Sequence, residues 1–596
     1  MQNTNDIATG LKGLPARTWS EREAPAALLD GLVSAGYGRV FARLLALRGI
    51  GPEDADGYLH PALSALAGPG ELPGVEDAAR VILDAVSAGR RVVVFGDYDC
   101  DGVCATAILV SALSVLAGPG AAPRAFLPER LSEGYGMTAA SVSRMLAEIP
   151  DAGLVVTVDN GINSVEEVAA LKARGVAVVV TDHHLPGDEL PCADALVNPK
   201  VASPGSLDGL CGAGVAFLLA NAVVTGARAR GMYSGPNVGG PLLVLAGLAT
   251  VTDVMPLVGQ NRIIVAEALR RFRSLAPIGL KELFDRASRS TAQALSVKDF
   301  GFLIGPRINA SGRMASGMES LELVLSTDRE RARELARRVD MRNVERKTAE
   351  QAMLEAAMSQ IEPGAAAQVL DVPDGHPGVA GIVAARVLER LSSSSSPVPV
   401  CVVVKGRGSA RAPDGYNVRD AFAGAAAALD RFGGHAAAGG CSVREGAVGE
   451  FRRLFVEACA GQAAGAARES RRKSTLDAWV EPSDLTLEFA EGLRRLEPFG
   501  EGNPEPVFGV KGVRLAEARP MGADGRHLSL SFRDRAMPKA VWWNRGELVD
   551  ELRARSAEEF DAVFTVEASD YIERHVELRL VDLAPSPTRT PTPRAR

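Results

Sequence analysis

The sequence predicts an α/β protein of several domains. It expects a parallel-sheet domain carrying a metal site, a second α/β domain reached through a long helix, and a small β-barrel of OB type towards the C-terminus. Three observations predict it: apolar runs that end on carboxylates or histidines, a long stretch rich in Glu, Arg, Ala and Leu, and five short strand-like runs separated by turn signals. With 596 residues the chain is too long for a single core.

The first apolar run, Arg91-Val92-Val93-Val94-Phe95, leads into Asp97-Tyr98-Asp99-Cys100-Asp101-Gly102. Three carboxylates on alternate positions, where a buried strand should turn into a helix (Val103 to Leu116), repel one another unless a positive charge sits between them. A divalent metal meets that need. The calcium loop of an EF-hand also reads D-x-D-x-D-G, but it requires a Glu at its twelfth position and a helix in front. Here that position is Ile108 and a strand precedes. Helix capping by solvated acids would account for one Asp but not three.

Later segments repeat the pattern. Leu154 to Val158 runs into Asp159-Asn160-Gly161, Val176 to Thr181 into Asp182-His183-His184, and Leu243-Val244-Leu245-Ala246 towards Thr252-Asp253. Continuous apolar runs are what parallel strands look like when helices cover both faces. Between the second and third runs, Ser164 to Gly175 has Val165, Val168, Ala169 and Leu171 at helical spacing, with a Ser N-cap and a closing Gly. That is a βαβ unit. Ligands of such sheets bind beyond the carboxyl ends of the strands, so Asp99, Asp101, Asp159, His183, His184 and Asp253 can converge. The carboxylates Asp99, Asp101, Asp159 and Asp253 balance two divalent cations. A mixed carboxylate and imidazole set suits manganese or magnesium better than structural zinc. Two such ions about 3.5–4 Å apart serve phosphoester hydrolysis.

The set GDYDCDG, VDNG, DHH and TDV resembles the DHH phosphoesterase superfamily. Further motifs narrow the resemblance to the RecJ-type single-stranded-DNA exonucleases. They are Leu127-Pro128-Glu129-Arg130 with Gly134-Tyr135-Gly136, Gly305-Pro306-Arg307-Ile308-Asn309-Ala310 with Gly312-Arg313-Met314, Gly433-Gly434-His435-Ala436, and Leu496 to Pro506. The resemblance spans about Arg43 to Asp582. Phe95 stands where many superfamily members place a histidine ligand, which leaves Asp97 or Asp99 to take its place. GGHAAAGG departs slightly from the usual GGHxxAAG and keeps His435.

The resemblance implies a DHH-type metal domain, a DHHA1-type α/β domain and an OB-type barrel. It implies the metal ligands Asp97, Asp99, Asp101, Asp159, His183 and Asp253, with His184, Asp182 and Asp159 in the catalytic set and His184 on the scissile phosphate. Arg130, Arg307, Asn309, Arg313, His376, Ser409, Arg411 and His435 would grip the strand. The implied activity is manganese- or magnesium-dependent degradation of single-stranded DNA from the 5′ end to mononucleotides, in recombination and repair. A RecQ-type helicase and a single-strand-binding protein are the implied partners, and the expected state is a cytoplasmic monomer. Two alternatives are an oligonucleotide or cyclic-dinucleotide phosphodiesterase, whose members generally lack the barrel, and an inactive DHH scaffold of a replication complex, which would lose metal ligands.

Composition sets bounds. A net charge of −7 argues against indiscriminate coating of nucleic acid, so a strand would need a local groove. Arg130, Arg307, Arg313, Arg346, Lys347, Arg386, Lys405, Arg407 and Arg411 are its candidates. Arg307 and Arg313 stand out because a Gly- and Asn-rich turn there would bring backbone amides close to a phosphate. Seven cysteines without a C-x-x-C pair make no zinc or disulfide framework. Cys100 and Cys104 read as packing residues. Met1 to Leu14 lacks a secretory pattern, and no apolar run approaches the ~18–20 residues of a membrane span.

Composition shifts divide the chain into a helical lead-in (1–60), the metal domain (61–320), a connecting helix (321–362), the second α/β domain (363–460), a linker (461–474), the OB-type domain (475–583) and a disordered tail (584–596). Ala332, Leu335, Val339 and Val344 give the connecting helix its periodicity, and Ser392 to Ser396 reads as a flexible loop. Trp542 and Trp543 point to opposite faces of one strand, so one is expected in the core and at most one free to stack on a base.

Overall fold

The computed structural model describes residues 11, 19–117, 122–134, 136–201, 205, 207–288, 295–392, 397–469, 474–569 and 574–586. Tyr135, most of the expected serine loop, the basic end of the expected linker and the tail from 587 lie outside the described residues. The chain forms two compact units, Leu63–Arg471 and the paired chain ends Met1–Ala62 with Arg472–Arg596.

The larger unit opens with a five-stranded parallel sheet. Its strands are β1 (Arg91–Phe95), β2 (Arg124–Phe126), β3 (Ala152–Thr157), β4 (Ala177–Thr181) and β5 (Ala195–Val197), in the order β2-β1-β3-β4-β5. Alternate side chains enter two cores, which is why each strand reads as an unbroken apolar run. On one face Val92, Val94, Leu154 and Val156 pack with α1 (Val75–Ser87), α2 (Cys100–Ser114), α5 (Gly212–Ala229) and α6 (Gly239–Thr252). On the other, Val93, Phe95, Val155 and Val178 pack with α3 (Ala139–Glu148) and α4 (Val165–Ala173).

Two expectations need correction here. Leu243 to Ala246 is part of the helix α6 and not a fourth strand leading to a ligand. A helix buried on all sides and a buried strand look alike over four residues. The 18-residue α5 is long and apolar enough to cross a membrane, although no such run was expected. It is a core helix, packed against α1, α2 and α6.

The Gly- and Asn-rich segment is likewise a helix, α7 (Gly305–Met314), entered through a π-helical turn at Asp299–Ile304. Pro306 fits because the first turn of a helix needs no amide there. The connecting helix α8 (Arg329–Met358) starts later than expected, since Met318–Leu325 is a separate helix and the Asp328 side chain caps α8 by accepting the Arg331 amide at 2.7 Å.

The second sheet contains β6 (Gln368–Asp371), β7 (Val400–Val404), β8 (Arg407–Arg411), β9 (Leu429–Gly434) and β10 (Ala438–Val443), ordered β9-β10-β8-β7-β6. Cys401, Val403, Ala410 and Cys441 face Phe422 of α10 (Val418–Gly424) and Phe451 and Phe455 of α11 (Val448–Glu469). Val400, Val402 and Val404 face the other way, against Val383 and Val387 of α9 (Ala380–Leu391) and Met353 and Leu354 of α8. Helix α11 continues through Glu469, into the stretch expected as a linker.

In the smaller unit a strand at Trp19–Glu21 pairs in parallel with Ser474–Leu476, and Trp19 Nε1 donates to Asp582 at 2.7 Å. Leu32, Ala42, Leu44 and Leu45 share one core with Phe508, Leu530, Trp542 and Phe564. The lead-in and the C-terminal strands are thus one body, a pairing across more than 400 residues that local sequence patterns do not carry. The sheet runs Ala478–Trp479, Phe508–Val513, Phe560–Ser569, His575–Pro585, Ala540–Trp542, His527–Phe532, Leu515–Met521. All seven cysteines are free, and Cys192 alone of them is exposed.

Candidate active site

At the end of β1 the chain turns into α2 through the acidic run. Asp99 is the N-cap of α2, its Oδ1 accepting the amides of Asp101 and Gly102 at 3.0 Å each. Asp97 is fully buried, and neither of its carboxylate oxygens has a hydrogen-bond partner among the described residues. Asp101 is held differently, with Oδ2 accepting the Gly212 amide and Oδ1 the Ala213 amide at 2.7 Å each, in the first turn of α5. Asp159 follows β3 with φ +62°, a conformation that costs a non-glycine residue energy and aims its carboxylate at this point. Gly212 permits the approach, since a Cβ there would lie 2.5 Å from the Asp159 Cβ. Asp253 arrives from the C-terminal end of α6.

These groups converge. His183 Nε2 lies 3.1 Å from Asp159, 3.6 Å from Asp101 and 3.7 Å from Asp253. Ligand atoms of Asp159, His183 and His184, of Asp101, His183 and Asp253, and of Asp97, Asp99 and Asp159 each lie within 4.8 Å of one another. Burial, reinforced by the neighbouring acids, pushes the carboxyls of Asp97, Asp99 and Asp159 up, and that of Asp253 up to about 8. Burial holds the His183 ring below its usual range, so it is a neutral donor, and its Nδ1 has no partner among the described residues. The position of Asp253 sharpens the conflict, because a carboxylate at a helix C-terminus adds to the negative end of the dipole. Orphaned oxygens, crowded acids and an imidazole held below its usual pKa give a donor set able to hold divalent cations.

Asp182 does something else. Its Oδ1 accepts the amides of His183 and His184 and the His184 Nδ1 at 2.7 Å, and its Oδ2 the Ile162 amide at 3.0 Å. Burial opposes its charge, but these bonds outweigh it and hold the carboxyl low. His184 is the reciprocal case. Burial disfavours its cation, yet Asp182 raises its pKa, and the ring keeps 40% of its surface exposed.

The predicted strand-binding residues separate into two groups. Arg307 ion-pairs with Asp340 at 2.9 Å and donates to the Leu303 carbonyl, and Asn309 Oδ1 accepts the Cys100 amide at 2.7 Å. Both are occupied in holding the fold. Arg346 and Arg386 share Glu350 at 2.6 and 2.5 Å. Arg130, Arg313 and Arg411 have no carboxylate partner among the described residues. Arg130 stacks over the Tyr98 ring at 5.2 Å and Arg313 reaches the Gly378 carbonyl at 3.3 Å. Burial and the proximity of Arg130 lower the pKa of Arg411 and bring that of Arg313 down to about 10. His376 Nδ1 accepts the Gly378 amide at 3.1 Å, and Ser409 and His435 lie on β8 and in the β9–β10 turn. A cleft of about 340 Å³ is lined by Arg130, Ser409, Gly433 and Gly440 among others.

A family model described as the N-terminal domain of the DHH family matches residues 91–238, and one described as the RecJ OB domain matches 476–582. The RecJ single-stranded-DNA-specific exonuclease of Thermus thermophilus is 37% identical over 511 residues, covering 84% of this chain and 71% of that protein. That of Escherichia coli is 36% identical over 489 residues, covering 77% and 81%. The chain belongs to the RecJ family. A crystal structure of Thermus thermophilus RecJ in complex with Mn2+ superposes with a TM-score of 0.79 at 31% identity, covering 97% of this chain and 79% of that one. The same enzyme with Mg2+ gives 0.73 at 29% identity, covering 96% and 78%.

Sequence reasoning missed the groups that position the acidic centre from behind. Gly212 and Ala213 clamp Asp101, the Lys200 Nζ donates to the His183 carbonyl at 2.5 Å, and the Asn198 amide donates to the His184 carbonyl at 2.9 Å. The only signal for the clamp is the run of small residues Cys211 to Ala213 ahead of an apolar helix.

Proposed function

We propose that this chain is a manganese- or magnesium-dependent exonuclease that degrades single-stranded DNA from its 5′ end. One observation carries the reading: a cluster of buried acids and the arginines Arg130, Arg313 and Arg411 occur in one compact unit, and among the described residues no Lys or Arg ion-pairs with those acids and no carboxylate ion-pairs with those arginines. The first calls for cations and the second for an anion, and a strand end brought to a pair of metals satisfies both. Two bound divalent cations supply an activated water and neutralise the charge that develops on the phosphoryl oxygens.

The residues of the chain do the rest. Asp97, Asp99, Asp101, Asp159, His183 and Asp253 would hold the cations. Asp182 fixes the His184 ring through Nδ1, leaving Nε2 to donate to the scissile phosphate. Arg130, Arg313 and Arg411, with Ser409, His376 and His435 on the second domain, would take the 5′-terminal phosphate, for which the guanidinium fork is suited. Work in recombination and repair, as a cytoplasmic monomer beside a RecQ-type helicase and a single-strand-binding protein, follows from the family alone.

Matched strands labelled at the 5′ or the 3′ end, incubated with Mn2+, test this. A 5′ label should be released as mononucleotide at once while a 3′ label shortens stepwise. The reverse pattern, or equal cutting of duplex, would overturn it.

A further inference from the structure

The cleft over the second sheet extends past the residues assigned to the terminal phosphate. Gly433, Gly440 and Ser409 pair across β9, β10 and β8, and two residues further along each strand Arg431, Ser442 and Arg407 pair in the same way. Residues in register or two apart share a face, so both rows line one floor, about 6.6–6.8 Å apart. Arg411 marks the near end, since its guanidinium sits against Gly381 just after the turn whose Gly378 meets Arg313. Arg407 and Arg431 mark the far end.

Three features of the cleft are unexplained by folding. Arg407 and Arg431 have no carboxylate partner among the described residues, and Arg431 Nε donates only to Ser442 Oγ at 3.2 Å. The lining of the cleft, which also includes Arg130, contains no Asp or Glu. The floor is bare without conformational need: a Cβ on Gly433 would meet nothing within 4 Å and one on Gly440 only the Gly408 carbonyl at 3.6 Å, and neither has a positive φ.

We infer that Arg407, Arg431 and Ser442 form a second phosphate subsite, for a phosphoryl group lying one step beyond a 5′-monophosphate. The inference rests on the proposed terminal-phosphate pocket and extends it. The extra phosphoryl group comes either from a 5′-triphosphate or from an additional nucleotide at the 5′ side. In both cases water adds to phosphorus and the O3′–P bond breaks, with O3′ taking up a proton. The released fragment keeps all its 5′ phosphates and the remaining strand begins with a 5′-phosphate. The first source yields a nucleoside triphosphate and the second a dinucleotide.

The test compares strands with 5′-hydroxyl, 5′-monophosphate and 5′-triphosphate ends, cut by the wild type and by Arg407→Gln, Arg431→Gln and the double variant. Both side chains are exposed, and thermal unfolding verifies the fold. The triphosphate strand should lose at least about tenfold more kcat/KM than the monophosphate strand in the double variant, because charge-assisted contacts are lost from one substrate alone. Selective loss of dinucleotide products from the monophosphate strand also supports the subsite and assigns it to an upstream nucleotide. Equal losses on all three ends, no loss, or a wild type that makes neither product would overturn it. Failure of the underlying pocket shows separately, as unchanged monophosphate-over-hydroxyl preference in Arg411→Lys.

Discussion

The acids at the ends of β1, β3 and α6 and the arginine trio of Arg130, Arg313 and Arg411 make the same electrostatic error with opposite signs. Each gathers like charges that are buried or half-buried, and each pays in pKa: Asp253 is pushed up to about 8 and Arg313 down to about 10. Elsewhere in the same unit Arg307 meets Asp340, and Arg346 and Arg386 meet Glu350. Those arginines are as basic in sequence as the trio. The difference teaches that an uncompensated charge, not a charge, marks a site, because an unpaired buried ion is costly unless a ligand completes it.

The largest expected effect follows from breaking the acidic side. Asp159→Ala should lower kcat on single-stranded DNA by on the order of 10²–10³ or more, since the metal pair would lose a carboxylate shared by two of the three clusters. Retention of more than a few per cent of the wild-type rate in saturating manganese would remove Asp159 from the centre.

Metal removal sharpens the same side. With free Mn2+ at about a hundred times its Kd, unfolding of the wild type should be harder by about 2.7 kcal/mol than in chelator. Asp159→Asn should reverse the ranking: more stable than the wild type in chelator, because one repelling charge is gone, and less responsive to Mn2+. Equal responses of the two proteins would show that the acids do not share a cation.

Much of the acidic side was legible in the sequence. Strands buried on both faces write unbroken apolar runs, and topology places their ends together, so Asp99, Asp101, Asp159, His183 and His184 followed from pattern alone, while Asp97 entered as a ligand through the family resemblance. Asp253 was found by motif but placed on the wrong kind of element, because a helix apolar on every side carries no period. The basic side was less legible. Whether an arginine is paired depends on partners such as Asp340, 33 residues from Arg307, and Glu350, which only the folded chain brings near. The union of the two chain ends in one core is hidden for the same reason.

Smaller effects should separate paired from unpaired arginines. Arg411→Lys keeps the charge but not the fork, and should cut the preference for 5′-phosphorylated over 5′-hydroxyl strands about tenfold. Arg307→Lys should slow both strands by one factor or leave both unchanged, its partner being Asp340. Selective loss in Arg307→Lys, with none in Arg411→Lys, would exchange their roles.

The smallest effect concerns an exposed aromatic ring and not a charge. In the smaller unit Trp542 is 3% exposed and belongs to the core, while Trp543 is 48% exposed with the His527 ring edge-on at 4.7 Å. A free indole face offers stacking to a base, at the low end of the usual 1–3 kcal/mol because His527 already covers part of it. Trp543→Ala should therefore weaken binding of long single strands by about 1 kcal/mol and slow cleavage of a very short oligonucleotide far less. The salt dependence of binding should stay as it was, since stacking releases no counterions. The point change is cleaner than deleting the C-terminal strands, which would strip Leu32, Leu44 and Leu45 of their cover. A fall in the salt slope, or equal losses on long and short strands, would mean that Trp543 acts through the fold and not through a base.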